Sequence, residues 1–192
     1  VYERFQPYAV DTLQKALPFA SDKEKVEAAI ENGLEYLYRT SFRDAETKLY
    51  SYGLLAKAGY EVTSRARYSI DQELNNDVWE YVVPPKDLAT YIDDLVLAYW
   101  VSANLNDTKR MLQVADTARF TLEQRTLDEP IIQLVSGSWI STKNSQVSKI
   151  KNKSSLRYAH LLTDLSSDQL APVFETIIEN THEYLAQRQY RS

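Results

Sequence analysis

His160 and His182 are the only imidazoles in this chain of 192 residues, and there is no cysteine. A multi-histidine metal site, a thiolate zinc site, a cysteine nucleophile, a disulfide and a cysteine-derived thioester are therefore excluded within the chain. His160 stands in "RYAHLL", the setting of a satisfied helix residue rather than a ligand. Asp93 and Asp94 adjoin in "YIDDLVLAYW". Neighbours on a helix diverge by about 100°, so the two cannot share a metal as carboxylates at i, i+3 or i, i+4 could. They read as solvated charges on a helix face. Glycoside hydrolysis needs two carboxylates across a cleft, but with 27 acidic residues the sequence singles out no pair. There is no glycine-rich phosphate loop, no G-x-S-x-G elbow and no H-E-x-x-H. Tyrosine is abundant at 14. Tyr50, Tyr52, Tyr91, Tyr99 and Tyr184 fall at helical core spacing, so they read as packing residues with their hydroxyls at the rim. The sequence assigns no catalytic, cofactor-binding or metal-binding residue, and the chain is expected to be neither an enzyme nor a cofactor protein.

Those side chains sit on a chain of helices. Val26, Ala29, Ile30, Gly33, Leu34 and Leu37 follow the i, i+3, i+4, i+7 rule of a one-faced helix, and Ser21 with Glu24 forms a capping box ahead of it. Leu88, Tyr91, Ile92, Leu95, Val96, Tyr99 and Ala103 make a second stripe after Pro84-Pro85. Met111, Val114, Ala115, Ala118 and Leu122 make a third, opened by the cap signal Asn106-Asp107-Thr108. Leu170, Val173, Phe174, Ile177, Ile178, Thr181, Tyr184 and Leu185 make the last, with Ser166 and Gln169 as its capping box. Shorter helices are expected near Pro7 to Leu17, Thr63 to Leu74, Glu129 to Val135 and Ser155 to Leu165. Strand alternation is nearly absent, so the fold class is all-α.

Helix starts recur about every 20 residues, which suggests stacked helical hairpins in an α/α toroid or an open α-solenoid. Between Asp44 and Val62, "DAETKLYSYGLLAKAGYEV" carries Ala45, Leu49, Tyr52, Gly53 and Ala56 on one face and Tyr50, Leu54 and Ala58 on another. Two packed faces mark an inner-layer helix, and Gly59 is placed to end it. The stretch 136–155, "SGSWISTKNSQVSKIKNKSS", reads as an irregular Ser/Lys-rich loop. Its Lys143, Lys149, Lys151 and Lys153 form a basic patch that could contact an anion or partner, though a solvated loop is the preferred reading.

Composition bounds the rest. A hydrophobic share of 44% and a charged share of 26% describe a folded chain with a real core, 1–192 being a single helical domain or domain fragment. A net charge of −5 gives no general attraction to nucleic acid or anionic membrane, and neither is expected as a partner. No apolar run approaches the roughly 18 residues of a membrane span, so no direct membrane insertion is expected. The chain opens on Val1 and its only methionine is Met111, from which a processed or excised piece is expected.

The order of segments resembles a known family. "FQPYAVDTLQKALPF", followed by a capped helix and "GLEYLYR", resembles the later half of the thioester domain of bacterial α2-macroglobulins, where a "PY…A…DFL" helix precedes a "YL" stretch. "AETKLYSYGLLAKAGYEV" is similar to the family's "A..AYALYVLA.AG" helix. "LATYIDDLVLAYWVSANLND" resembles its "LA.L..AL...GD" pair, with Asn106-Asp107 near the Gly-Asp. "NKSSLRYAHLLTDL" looks like "GSSLRD.AL.L.LL", and "FETIIENTHEYLAQRQYRS" like the helix ending "LL.QR" ahead of a "W.STQ" motif. "GSWISTKN" from Gly137 to Asn144 also mimics that last motif. The family's Cys-x-Glu-Gln thioester has no counterpart here and would lie upstream of Val1, so no functional residue is carried over.

The resemblance implies a segment of an α/α toroid within a large, periplasmic or otherwise exported, protease-trapping inhibitor. Its partners would be other domains of the same large chain and the proteases captured by the whole protein. It also implies that helices before Val1 and after Ser192 complete the toroid, leaving apolar surface on α-helices near Tyr8 to Leu17 and Ile177 to Leu185 in the isolated chain. The rival readings are an α/α-barrel carbohydrate-active enzyme, with convergent carboxylates in a deep cleft, and a helical-repeat protein-binding scaffold with an aromatic groove.

Overall fold

A computed structural model describes residues 5–74, 85–128, 132–135, 138–141, 158–176 and 178; side chains are described for 5–74, 93–120, 158, 160–176 and 178. The elements are α1 (Gln6–Ala16) with a 3-10 turn at Leu17–Phe19, α2 (Lys23–Arg39), α3 (Ala45–Lys57), α4 (Thr63–Leu74), α5 (Pro85–Asn104), α6 (Thr108–Asp128), β1 (Ile132–Val135), β2 (Ser138–Ser141) and α7 (Ala159–Leu162). A further helical turn covers 172–176. Among the described residues the fold is all-α apart from one small hairpin.

The hairpin corrects two expectations. Ile132–Val135 is a strand, not part of a helix from Glu129 to Val135, and Ser138–Ser141 pairs with it inside the stretch read as an irregular loop. The pairing is antiparallel, Ile132 with Ser141 through Val135 with Ser138, so only Ser136 and Gly137 lie between the last partners. Pro130 bars a helix from running through this point, and Ile132 and Val135 favour strand. The rest of the expected basic loop, with Lys143, Lys149, Lys151 and Lys153, lies outside the described residues.

Caps set the helix ends. Asp22, not the expected Ser21, caps α2, its carboxylate accepting from the Lys25 amide at 3.2 Å. Asp44 caps α3 from the Thr47 amide at 2.8 Å. At the far end of α3 the Gly59 amide donates to Ala56 O and the Tyr60 amide to Leu55 O at 2.9 Å, with Gly59 at φ +84. That is the paired closure of a left-handed C-terminal cap. The end of α5 repeats it, with Asn106 at φ 53 in the glycine's place and the Asp107 amide donating to Ser102 O. Asp107 then caps α6, accepting from the Arg110 amide at 3.3 Å. Near the C-terminal side, Gln169 does fold back on Ser166, but the helical turn starts only at Pro172.

The helices pack in two layers. Odd-numbered helices touch each other (α1 with α3, α3 with α5, α5 with α7), while α2, α4 and α6 each pack on the helix before them, with α4 also meeting α6. Side-chain rungs give the directions. Tyr8 meets Glu46 and Asp11 meets Tyr50, so numbering ascends together along α1 and α3. Arg67 meets Asp107 and Asp71 meets Arg110, so α4 and α6 also ascend together. Helices α1 and α3 are therefore parallel, as are α4 and α6.

The core runs along α3 and α5. Leu49, Tyr50, Ser51, Gly53, Leu54 and Leu55 are buried on several faces of α3, which is the inner helix expected, although Ala58 is exposed. Helix α5 exceeds the one-faced stripe read from its sequence, since every residue from Leu95 to Val101 is buried. Asp93, expected in solvent, is 5% exposed because it belongs to the same enclosed helix. Gly53 lets α5 come close: a Cβ there would lie 1.9 Å from Trp100 Cζ3. Of the remaining stripe, Phe174 is buried and Leu170, Val173 and Ile178 pack against the core, whereas Ile177, Thr181, Tyr184 and Leu185 lie outside the described residues.

Candidate functional site

The densest group of reactive side chains lies where α1, α3 and the segment leading into α7 converge. Tyr8 and Asp11 sit one turn apart on α1, and Glu46 and Tyr50 sit one turn apart on the parallel α3. Parallel packing therefore sets a phenol opposite a carboxylate on each rung, in opposite order. Tyr50 Oη donates to Asp11 Oδ2 at 2.8 Å. Tyr8 Oη donates to Glu46 Oε1 at 2.9 Å, and Tyr158 Oη donates to the same oxygen while lying against the Tyr8 hydroxyl.

The rings form one aromatic cluster. Tyr50 meets Tyr8 edge-on at 5.0 Å between centroids, Tyr158 at 5.3 Å and Trp100 at 5.9 Å. Two nitrogen-bearing side chains approach Asp11, Lys15 Nζ at 2.8 Å on its own helix and His160 Nε2 at 3.8 Å from α7. Lys57 of α3 holds Asp164 at 3.0 Å just beyond.

Electrostatics follow from these partners. Burial by itself would raise the Asp11 carboxyl, but His160, Lys15 and the Tyr50 hydroxyl outweigh it and hold the group well below the usual carboxylate range. Burial, aided by Asp11, pushes the Tyr50 phenol far up, and burial with Glu46 does the same to Tyr158. The Tyr50 and Tyr158 phenols stay neutral donors and Asp11 stays an ionised acceptor near neutral pH. These hydrogen bonds tie α1, α3 and the segment leading into α7 together.

A second polar network ties α4 to α6. Asp107 Oδ2 accepts from Arg67 Nε at 2.7 Å and Arg110 Nη1 at 3.1 Å, and Arg110 turns its other edge to Asp71 at 2.6 and 3.0 Å. Burial raises the Asp107 carboxyl, yet the Arg110 amide and the two guanidinium groups bring it below its ordinary value. Tyr99 of α5 spans to the C-terminal segment, donating to Gln169 O at 2.5 Å and accepting from the Ala171 amide at 3.0 Å, its ring 4.3 Å from that of Phe174.

Of the residues singled out from the sequence, His160 is in helix α7 beside Asp11, while His182 lies outside the described residues. Tyr50 and Tyr99 are buried and Tyr52 is half-buried; the side chains of Tyr91 and Tyr184 are not described. Sequence reasoning missed Tyr8, Asp11, Glu46 and Tyr158 as a group. The signal was the matching one-turn spacing of Tyr8/Asp11 and Glu46/Tyr50, legible only once the two helices are known to run side by side. Among the described residues no three His, Asp or Glu side chains gather as a metal site. Compared with family models, curated proteins and solved structures, the chain finds no match in any of the three.

Proposed function

We propose that the chain is a non-catalytic helical scaffold, and more narrowly the segment of an α2-macroglobulin-like protease-trapping inhibitor that its motif order resembles. The carrying observation is the use made of the carboxylates in the reactive cluster. Asp11 and Glu46 are both spent on tyrosine hydroxyls that lock parallel inner helices. An α/α-barrel glycosidase would instead aim such a pair into a cleft. A two-layer arrangement of helical hairpins is shared by the α/α toroid that the resemblance implies and by an open α-solenoid. In this reading the outer helices face neighbouring domains of the same large, exported chain, and the whole protein holds the protease.

The test has two arms. The complete reading frame should carry Cys-x-Glu-Gln upstream of Val1, and its product should retain an attacking protease covalently. The purified 192-residue chain should turn over no glycoside, peptide or ester. A complete frame without the thioester motif removes the narrow reading. Turnover that is lost in Asp11→Asn or Glu46→Gln removes the scaffold reading in favour of the barrel enzyme.

A further inference from the structure

Tyr8 of α1 and Tyr158, at the N-cap position of α7, stand 150 positions apart in the chain, yet their phenols end on one atom. Both hydroxyls donate to Glu46 Oε1, and the two phenol oxygens also meet each other. The rings lie 6.1 Å apart between centroids with their planes at 25°. The planes are thus nearly parallel and the hydroxyl ends converge, which draws together the ring carbons beside each hydroxyl. Those ortho carbons share the unpaired spin of a tyrosyl radical, and they are where two such radicals join.

We infer that Tyr8 and Tyr158 form a dityrosine cross-linking site, a covalent staple between α1 and α7 in a chain that has no cysteine. The co-reactant is a one-electron oxidant. It meets Tyr8, which is half-buried, whereas Tyr158 has no exposed surface and passes its electron through the touching Tyr8 ring. Losing an electron turns a phenol into a strong acid, and Glu46 stands within hydrogen-bond reach to take the proton in the same event. Two such oxidations leave a radical on each ring. One carbon–carbon bond then forms between ortho carbons, and the hydrogen on each coupled carbon passes to its phenol oxygen, restoring both rings. The net release is two electrons, to the oxidant, and two protons, through half-buried Glu46 to water.

Neighbouring pairs are worse placed. Tyr50 meets Tyr8 at 78° and Tyr158 at 69°, edge to face, with its own hydroxyl on Asp11. Asp11 is held well below the usual carboxylate range and is a poor proton acceptor. Tyr38 and Tyr60 lie 5.3 Å apart but tilted by 48°, and the Arg65 guanidinium 4.9 Å over the Tyr38 ring opposes loss of an electron there. A bond between Tyr8 and Tyr158 closes a long loop, so it restricts the unfolded chain as a disulfide would.

Illumination of the dilute, purified chain with tris(bipyridyl)ruthenium(II) and persulfate tests this. The electrons pass through ruthenium(III) to persulfate, which leaves as sulfate. The monomer should gain dityrosine fluorescence, and its tryptic digest should join peptide 5–15 to peptide 158–188, with fragmentation placing the bond at Tyr8 and Tyr158 rather than Tyr184. Glu46→Gln keeps a hydrogen-bond acceptor beside both phenols but takes no proton, and it should slow the initial rate roughly tenfold or more. The link should be absent when the chain is unfolded in urea during illumination. Cross-linked monomer should unfold at a higher urea concentration than unlinked monomer from the same reaction. Cross-links mapping only to other tyrosines, equal yield in urea, a rate indifferent to Glu46→Gln, or linked and unlinked monomers of equal stability would each overturn the proposal. None of these outcomes depends on the scaffold reading, which is decided by the upstream sequence and by turnover.

Discussion

The ring of Trp100 lies against the bare backbone of Gly53: a methyl group added there would come within 1.9 Å of Cζ3 and 2.4 Å of Cε3. This contact brings α3 and α5 together, and Trp100 is among the largest fully buried side chains. Tyr50 stands edge-on behind it, leaving the ring little room to retreat. Gly53→Ala should cost about 3 kcal/mol or more by overpacking. For a chain of this size that lowers the melting temperature by roughly 6–12 °C. A double-mutant cycle with Trp100→Leu should show strong coupling; additive losses would place the cost elsewhere.

Gly59 makes the opposite case. A Cβ there meets nothing within 4 Å, yet its φ is +84. Gly59→Ala should therefore cost about 1 kcal/mol from backbone conformation alone. Asn106 occupies the matching position after α5 with φ 53. Asn106→Gly should be neutral to slightly stabilising, and Asn106→Ala destabilising by about 1 kcal/mol. Urea midpoints of the three variants check this ordering.

The Asp11 carboxyl titrates far below its ordinary 3.8 in the folded chain. Its contribution to stability is complete above that unfolded value and is lost as pH falls toward the folded one. Thermal melts between pH 7 and pH 2 should drop steeply below about pH 4. The drop should be shallower in Asp11→Asn. Tyr50→Phe should cost roughly 1–3 kcal/mol at neutral pH, as for a hydrogen bond to a charged acceptor. It should also raise the Asp11 titration midpoint read by carboxyl NMR, a shift that mere loss of packing would not produce.

Asp107 serves as the cap of α6 and as the acceptor for Arg67 and Arg110. Removing the cap costs about 1 kcal/mol. Arg67 is half-exposed, so its pair adds only a fraction of a kcal/mol. Asp107→Ala should lose about 1.5–2.5 kcal/mol in total, of which the ion-pair share fades in high salt while the capping share persists. Equal losses at low and high salt would assign everything to the cap.

Leu95 is fully buried at the level of α5 where every face is covered. Leu95→Asp should abolish cooperative melting, because a buried unpaired carboxylate costs several kcal/mol against a total of about 5–15. A melt within a few degrees of the parent would mean that α5 is not the central helix.

The sequence by itself determined the helices. Period 3.6 placed α2, α5 and α6, turn chemistry at Gly59 and Asn106-Asp107 ended α3 and α5, and two apolar faces marked α3 as an inner helix. These are local signals, written in neighbours within a turn or two. Where local signals competed, the sequence reading slipped. Asp22 displaced Ser21 as the cap of α2, and Ile132–Val135 became strand once Pro130 and a two-residue connection to Ser138 favoured a hairpin. Only the tertiary structure decided that α5 is enclosed on all sides from Leu95 to Val101, that Asp93 is buried with that stretch, and that Tyr8, Asp11, Glu46, Tyr50 and Tyr158 form one cluster. Those facts depend on which helix lies beside which and in what direction, and contacts between residues 39 and 150 positions apart leave no periodic trace along the chain.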